Sequence, residues 1–271
     1  MRKKAAGIIA AFILVAIIAE LLVSKYALHV QRYDLAYDNL PASFDGYRIA
    51  QISDLHNAVF GKNNSELLEV TAKENPDIIV FTGDLIDDET ENPDEIAALL
   101  KKFSEIAPCF YVTGNHEAEI YREYFAFEKS IRSYIKTLHT ESYKIEKNGE
   151  KIYIAGIDDP VFNPQFDEDL AKLGEKKGFT VLLSHRPEYF PQYAEYGFET
   201  VLTGHTHGGQ IRLPFIGAIL TPSQGLFPEY DSGLYSEGNT NMIISKGLGT
   251  SVIPIRFHNM PEVVLVQLKV K

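Results

Sequence analysis

The chain is short of cysteine, of basic residues and of spacer tracts. Cys109 is the one cysteine in 271 residues, so no disulfide can form within the chain in any compartment. The same shortage disfavours a structural zinc site of the cysteine type. Lysine and arginine total 26 against 37 acidic residues, a net charge of −11. A chain this acidic lacks the basic surface that supplies most non-specific affinity for nucleic acid, so no nucleic-acid binding is expected. At face value the same charge disfavours phosphate chemistry, because phosphates are anions. Internal repeats, low-complexity tracts and linkers are also missing. With 45% hydrophobic and 23% charged residues, the composition is that of a globular protein rather than a disordered, collagenous or polytopic membrane chain.

One long apolar run is present. Residues 1–4 read M-R-K-K, and residues 5–23 follow as an apolar stretch broken by Glu20 alone. Nineteen helical residues cover about 28 Å, close to the roughly 30 Å of bilayer hydrocarbon. A core helix is seldom apolar around its whole circumference directly after three basic residues. A cleaved signal peptide needs a small-residue site, yet residues 19–26 read A-E-L-L-V-S-K-Y. The run is therefore expected to be an uncleaved signal anchor at residues 1–28, crossing the cell membrane once. Arg2, Lys3 and Lys4 place its start in the cytoplasm and the remainder outside, although Lys25 and Arg32 on the far flank weaken that polarity. Residues 29–45 are expected to form a tether and a leading strand, and residues 46–271 a single domain.

Short apolar runs at 47–52, 78–82, 109–113, 152–157, 179–184, 199–203, 241–245 and 263–268 have the length of strands. Helical patterns at 65–73, 94–103, 117–138 and 188–196 fall between several of them. Alternating strands and helices predict an α/β fold with a parallel or mixed interior sheet. The last 60 residues hold strands without helices, which predicts antiparallel pairing there.

Five polar motifs each follow one of these strands: Ser53-Asp54-Leu55-His56, Gly83-Asp84, Gly114-Asn115-His116-Glu117, His185, and Gly204-His205-Thr206-His207. In open α/β sheets, sites form beyond the carboxyl ends of strands. Of eight histidines, five lie in these motifs. Any one motif has an ordinary explanation, such as a turn for Gly83-Asp84 or a satisfied partly buried histidine for His185. Their joint occurrence, in order and at strand ends, predicts convergence. Strand-like alternation would turn Asp54 with His56, and His205 with His207, toward one place. Carboxylates, an amide oxygen and imidazoles suit two divalent ions of the Mn, Fe or Zn kind. Gly83, Gly114 and Gly204 fit tight turns that bring backbone close to such ions.

The series D-x-H, G-D, G-N-H-E, H and G-H-x-H resembles the calcineurin-like metallophosphoesterase superfamily. The string Gly204-His205-Thr206-His207-Gly208-Gly209-Gln210-Ile211-Arg212 narrows the likeness. So do Gly247-Leu248-Gly249-Thr250-Ser251, Pro254-Ile255-Arg256 and Pro261-Glu262. These resemble a bacterial membrane- or envelope-associated phosphodiesterase-like branch, related to UDP-2,3-diacylglucosamine hydrolases. The resemblance covers residues 46–268 and implies a two-sheet mixed sandwich flanked by helices. It implies that Asp54, His56 and His207 bind one metal, that Asn115, His185 and His205 bind the other, and that Asp84 bridges both. It makes His116 the catalytic residue, contacting phosphate and leaving group, with Asn115 beside it.

That chemistry answers the charge objection. Residues 1–29 carry four basic side chains and one acidic, a net of +3, so the rest of the chain carries −14. Yet two doubly charged ions against Asp54, Asp84 and one hydroxide leave the site itself positive. Water between two such ions loses a proton readily and is poised for in-line attack on phosphorus. Arg212 and Gln210 are further candidate substrate contacts; a solvated or structural arginine is the alternative for Arg212. Glu117 either orients His116 or interacts with a helix N-terminus. Asp87 and Asp88 read as loop surface, His29, His139 and His258 as structural or surface, and Cys109 as a small buried hydrophobe. The expected substrate is a phosphodiester, or a lipid-linked or nucleotide-sugar pyrophosphate. A phosphomonoesterase and a metal-binding scaffold without catalysis are the alternatives.

Overall fold

A computed structural model describes residues 2–175, 178–250 and 255–271. Ser251 and Pro254 of the C-terminal motifs lie outside them. A 25-residue helix, α1 (Arg2–Tyr26), leads the chain. Its stretch Gly7–Tyr26 has a mean hydropathy of 2.6 and is only 6% buried, long and apolar enough to cross a membrane.

Two six-stranded sheets follow. The first has the order β1 (His29–Tyr37), β16 (Glu262–Val270), β2 (Arg48–Ile52), β3 (Ile78–Thr82), β4 (Cys109–Val112) and β5 (Ile135–Thr137). The second has the order β14 (Gly233–Glu237), β15 (Thr240–Ile244), β9 (Thr200–Thr203), β8 (Thr180–Leu183), β7 (Glu150–Ile157) and β6 (Thr140–Lys147). Two hairpins lie outside both sheets: β10 (Arg212–Leu213) with β11 (Gly217–Ala218), and β12 (Leu220–Thr221) with β13 (Gly225–Leu226).

Alternation along the strands explains the layering. Ile49, Ile78, Val80, Val264 and Val266 of the first sheet face Ile152, Ile154, Val181, Leu183 and Leu202 of the second, forming an apolar filling between sheets. The intervening residues Ala50, Ile52, Ile79 and Phe81 face outward. They are covered by α2 (Ser65–Lys73), α3 (Pro93–Ser104) and α5 (Tyr121–Ile131). On the other side Ala155, Leu182, Val201 and Ile244 meet α6 (Phe166–Gly174) and α7 (Phe190–Glu195). Strands buried on both faces read as continuous apolar runs, which is why they are visible in the sequence. The result is the expected mixed sandwich flanked by helices.

Several details differ from expectation. The helix predicted over 117–138 divides into α4 (Asn115–Glu119), α5 and strand β5. Ile120, at φ −108 and ψ 42, breaks the first junction. Ile135 continues the four-residue spacing from Ile131, but it pairs with Cys109 in the sheet instead. The strand expected within residues 29–45 is β1, but it begins at His29 and runs parallel to β16 along nine residues, leaving no free tether before it. Two residues, Ala27 and Leu28, therefore separate α1 from the sandwich. The C-terminal strands pair both ways: β14–β15 and β16–β2 antiparallel, β15–β9 and β1–β16 parallel.

His139, between β5 and β6, sits with Nδ1 2.8 Å from Asp158 Oδ2 and Nε2 2.9 Å from Glu128 Oε1. The hydrogen bond to Asp158 outweighs burial and, with Glu128, lifts the imidazole from 6.5 to about 9. A group raised on folding stabilises fully below its unfolded value and ceases to do so as pH rises through the folded one. Thermal unfolding should therefore lose stability between pH 6.5 and about 9 in the parent. In His139→Gln the profile should be flatter; parallel profiles would deny the interaction.

Candidate metal centre

The loops after β2, β3 and β4 leave the first sheet, and those after β8 and β9 leave the second. Gln51 holds the two strand ends together: its Nε2 donates to Thr82 Oγ1 (2.9 Å) and, across the sandwich, to the Thr203 carbonyl (2.8 Å). Immediately beyond lie the ligand candidates. Asp54 and His56 follow β2, Asp84 follows β3, Asn115 and His116 open α4, His185 follows β8, and His205 and His207 follow β9.

Strand alternation does not set their directions. Asp54, His56, Asp84, His205 and His207 have φ values of +51, +41, +53, +71 and +50. Left-handed backbone is unusual for non-glycine residues and costs on the order of 1–3 kcal/mol each. The turns are made possible by neighbours without side chains. A Cβ on Gly83, itself at φ +91, would lie 2.5 Å from His185 Nδ1; one on Gly204 would lie 2.3 Å from Asp54 Oδ2.

The donors form two groups, Asp54, His56, Asp84 and His207 in one and Asp84, His185 and His205 in the other. Within each, candidate ligand atoms lie within 4.8 Å of one another, and Asp84 belongs to both. His205 and His207 therefore serve different groups rather than one face. His56 Nε2 is 3.6 Å and His185 Nε2 3.1 Å from Asp84 Oδ2, and His207 Nε2 is 3.6 Å from Asp54 Oδ1. All six residues are buried.

Hydrogen bonds select which nitrogen is left over. His56 Nδ1 meets Asp87 Oδ2 at 2.8 Å, and His185 Nδ1 meets the Thr82 carbonyl at 2.7 Å, so in each ring Nε2 faces the cluster. His205 Nε2 meets Ser223 Oγ at 2.9 Å, which leaves Nδ1. His56 Nε2, His185 Nε2, Asp54 Oδ2, Asp84 Oδ2 and Asn115 Oδ1 are buried with no hydrogen-bond partner among the described residues. Buried polar atoms seldom remain so unless an ion or water completes them. Two carboxylates, an amide oxygen and four imidazoles fit a binuclear centre of divalent ions.

The electrostatics separate the imidazoles. Burial lowers His56, but the close Asp84 carboxylate, the hydrogen bond to Asp87 and the Asp54 charge lift it to about 10. In His185 burial is likewise outweighed, by the charge of the nearby Asp84 carboxylate, again to about 10. His205 and His207 are pushed well down, first by burial and then by neighbouring positive charge. The latter two are held toward the neutral form, whereas His56 and His185 are held toward the charged one beside Asp84. A cation entering here displaces protons.

Residues 47–209 match the calcineurin-like phosphoesterase family. The chain is 35% identical over 238 residues to YkuE of Bacillus subtilis, an uncharacterized metallophosphoesterase, covering 85% of this chain and 82% of that one. It is 31% identical over 261 residues to an uncharacterized metallophosphoesterase of Aquifex aeolicus, with 91% and 94% covered. The chain belongs to the calcineurin-like phosphoesterase family. It is a metallophosphoesterase. A Danio rerio protein called a transmembrane protein with metallophosphoesterase domain is also similar, at 27% identity over 252 residues, 87% of this chain and 56% of the relative.

Membership accounts for the shared motifs, and the structure shows which residues hold the candidate ligands in place. Asp87, expected on the loop surface, is buried and holds His56 and Asn57. Its only sequence signal is its place three residues after Asp84. Arg186, directly after His185, is buried against Asp159, and its Nη1 reaches Ser223 Oγ at 2.8 Å. Asn259 Nδ2 donates to the His207 carbonyl at 2.6 Å. Arg256 is fully buried and donates to the carbonyls of Lys246, Gly249 and Asn259, closing the C-terminal loop over Asp54. Arg212 donates to the Gly208 carbonyl and pairs with Asp231 at 3.0 Å.

Glu117 serves the N-terminus of α4, one of the two expected roles, and adds a further one. Its carboxylate accepts from the backbone N–H of Gly114 (2.7 Å), Asp84 (3.0 Å) and Leu85 (2.7 Å). It thereby binds the β3 loop to the β4 loop, with no solvent exposure. Glutamine there would set an amide N–H against these donors. Glu117→Gln should cost about 1–3 kcal/mol of stability, the usual cost of stranding buried donors. Chemical denaturation would measure it, and an unchanged midpoint would deny the clamp.

Proposed function

We propose that this chain is a membrane-anchored phosphoesterase that cleaves a phosphodiester or pyrophosphate bond at a centre of two divalent ions. The observation that carries the reading is the pair of buried donor groups sharing Asp84, with His116 at their rim. Asp54, His56 and His207 are assigned to one ion, Asn115, His185 and His205 to the other, and Asp84 to both. Mn, Fe or Zn suits this donor set. When bound, such ions supply an activated water and neutralise charge on the phosphoryl oxygens. Two +2 charges exceed the two carboxylates, so an anionic substrate is attracted despite the acidic chain.

The side chains do the rest. The His116 ring lies edge-on to His56 with centroids 4.8 Å apart, and its backbone N–H donates to Asp84 Oδ1 at 3.0 Å. Its side chain is 20% exposed and faces Glu119 at 3.5 Å. A half-open imidazole on the rim can contact phosphate and give its proton to the leaving oxygen. Asn115, at the start of the same helix, joins it against phosphate. Arg212 is committed to Asp231 and Gly208, so we assign it to holding the loop after His207 rather than to substrate.

Helix α1 supports the anchor, and Arg2, Lys3 and Lys4 before the apolar run, set against Lys25 and Arg32 after it, favour a domain outside the cell. A lipid-linked or nucleotide-sugar phosphate suits a site tethered there, because tethering raises effective concentration toward such substrates.

Two experiments test this. With bis-p-nitrophenyl phosphate and Mn²⁺, Asp84→Ala should fall to background, and His116→Ala should lose about 10²–10⁴-fold in kcat while keeping its metal. An Asp84→Ala chain as active as the parent sinks the two-metal reading. Protease added to intact cells or spheroplasts should digest the domain; protection until lysis would reverse the orientation.

A further inference from the structure

The two hairpins that follow the metal ligands of β9 expose what a phosphate site does not need. Phe215, Ile216, Leu220, Leu226 and Phe227 all face solvent, and Phe215 is completely exposed. Single exposed apolar residues are ordinary, but a cluster on one projecting tongue marks a contact surface. Phe215 and Phe227 stand at φ +67 and +53. Glycine or asparagine occupies left-handed turn positions far more easily than phenylalanine. Neither burial nor backbone preference accounts for aromatic rings at these places, so folding alone does not explain them.

The position of the tongue supplies the partner. Its first residues pair with the segment after Arg256: Arg212 N donates to the Phe257 carbonyl at 3.0 Å, and Phe257 N to the Gln210 carbonyl at 2.9 Å. The next two residues of that segment are held by the end of α1. His258 N donates to Glu20 Oε1 at 3.2 Å, and Asn259 N to Ser24 Oγ at 3.4 Å. One strip of backbone thus lies between the tongue and the turns in which the apolar helix ends. The tongue also reaches the metal centre. Ser223, in the turn between β12 and β13, has its Oγ 2.9 Å from His205 Nε2 and 2.8 Å from Arg186 Nη1.

We propose that the tongue at residues 211–227 seats its apolar side chains in the interfacial layer of the bilayer that α1 crosses, holding the metal centre at headgroup level. The inference rests on the membrane-anchor reading given above. Apolar insertion drives the contact, since a domain with a charge of −14 after residue 29 is not drawn to anionic lipid. Because Ser223 connects the tongue to His205, seating it also steadies one half of the metal centre.

The chain contains no tryptophan, so a single introduced one reports its own surroundings. Full-length F215W, F227W, F12W and Y143W chains would be reconstituted in phosphatidylcholine vesicles with plain or brominated acyl chains. Phe12 lies in α1, and Tyr143 lies on β6, an edge strand of the second sheet. Bromine should quench F215W and F227W about twofold, as for side chains set roughly 5–10 Å into the headgroup–acyl boundary. F12W should be quenched more strongly and Y143W not at all. Quenching at F12W without quenching at F215W or F227W overturns this inference and leaves the anchor standing. No quenching at F12W overturns the anchor itself.

Discussion

One carboxylate outside both donor groups holds the centre in register. Glu117 lies out of water and accepts three backbone N–H groups from the two loops that carry Asp84 and Asn115. A buried carboxylate is tolerated where several donors converge on it. Burial and the nearby Asp84 charge push its pKa up, and the amides of Gly114 and Leu85 oppose that shift. The donors fit the charged form, so the loops that would relax first are stitched to each other. The position of Asp84, common to both donor groups, depends on this stitch, and so does the seat of the adjacent His116.

Around that stitch the molecule gathers features that destabilise a fold. Five candidate ligand residues hold left-handed backbone, two carboxylates and four imidazoles are buried together, and several of their atoms lack partners among the described residues. Rigid surroundings sustain them. Two sheets filled with branched apolar residues present five strand ends side by side, and Gln51 ties the sheets at that end. Three of the four imidazoles are then oriented through their far nitrogen, His56 by Asp87, His185 by the Thr82 carbonyl and His205 by Ser223 and Arg186. Orienting a ligand through its far nitrogen is how proteins tune metal sites.

Much of this was legible in the sequence. Strands buried on both faces gave continuous apolar runs, and polar motifs at their carboxyl ends named the ligand candidates. The misread parts share a cause. Ile131 and Ile135 keep a four-residue spacing that suits a helix, yet Ile135 reaches β4 and pairs with Cys109. Local periodicity cannot tell these outcomes apart, because the choice is made by strand β4, 26 residues away. Asp87 read as surface because nothing local marks it, and its burial depends on His56, far earlier in the chain.

What the residues determined by themselves was the apolar leading helix, the layered α/β class and the chemical kind of the donors. Those follow from hydropathy, strand length and side-chain type, all local properties. Tertiary structure decided how the donors divide, with His205 and His207 parted between two groups and Asp84 common to both. It decided the role of Glu117, and it set the apolar tongue beside the end of α1. These are relations between segments up to 238 residues apart, and a chain acquires them only when its sheets close on one another.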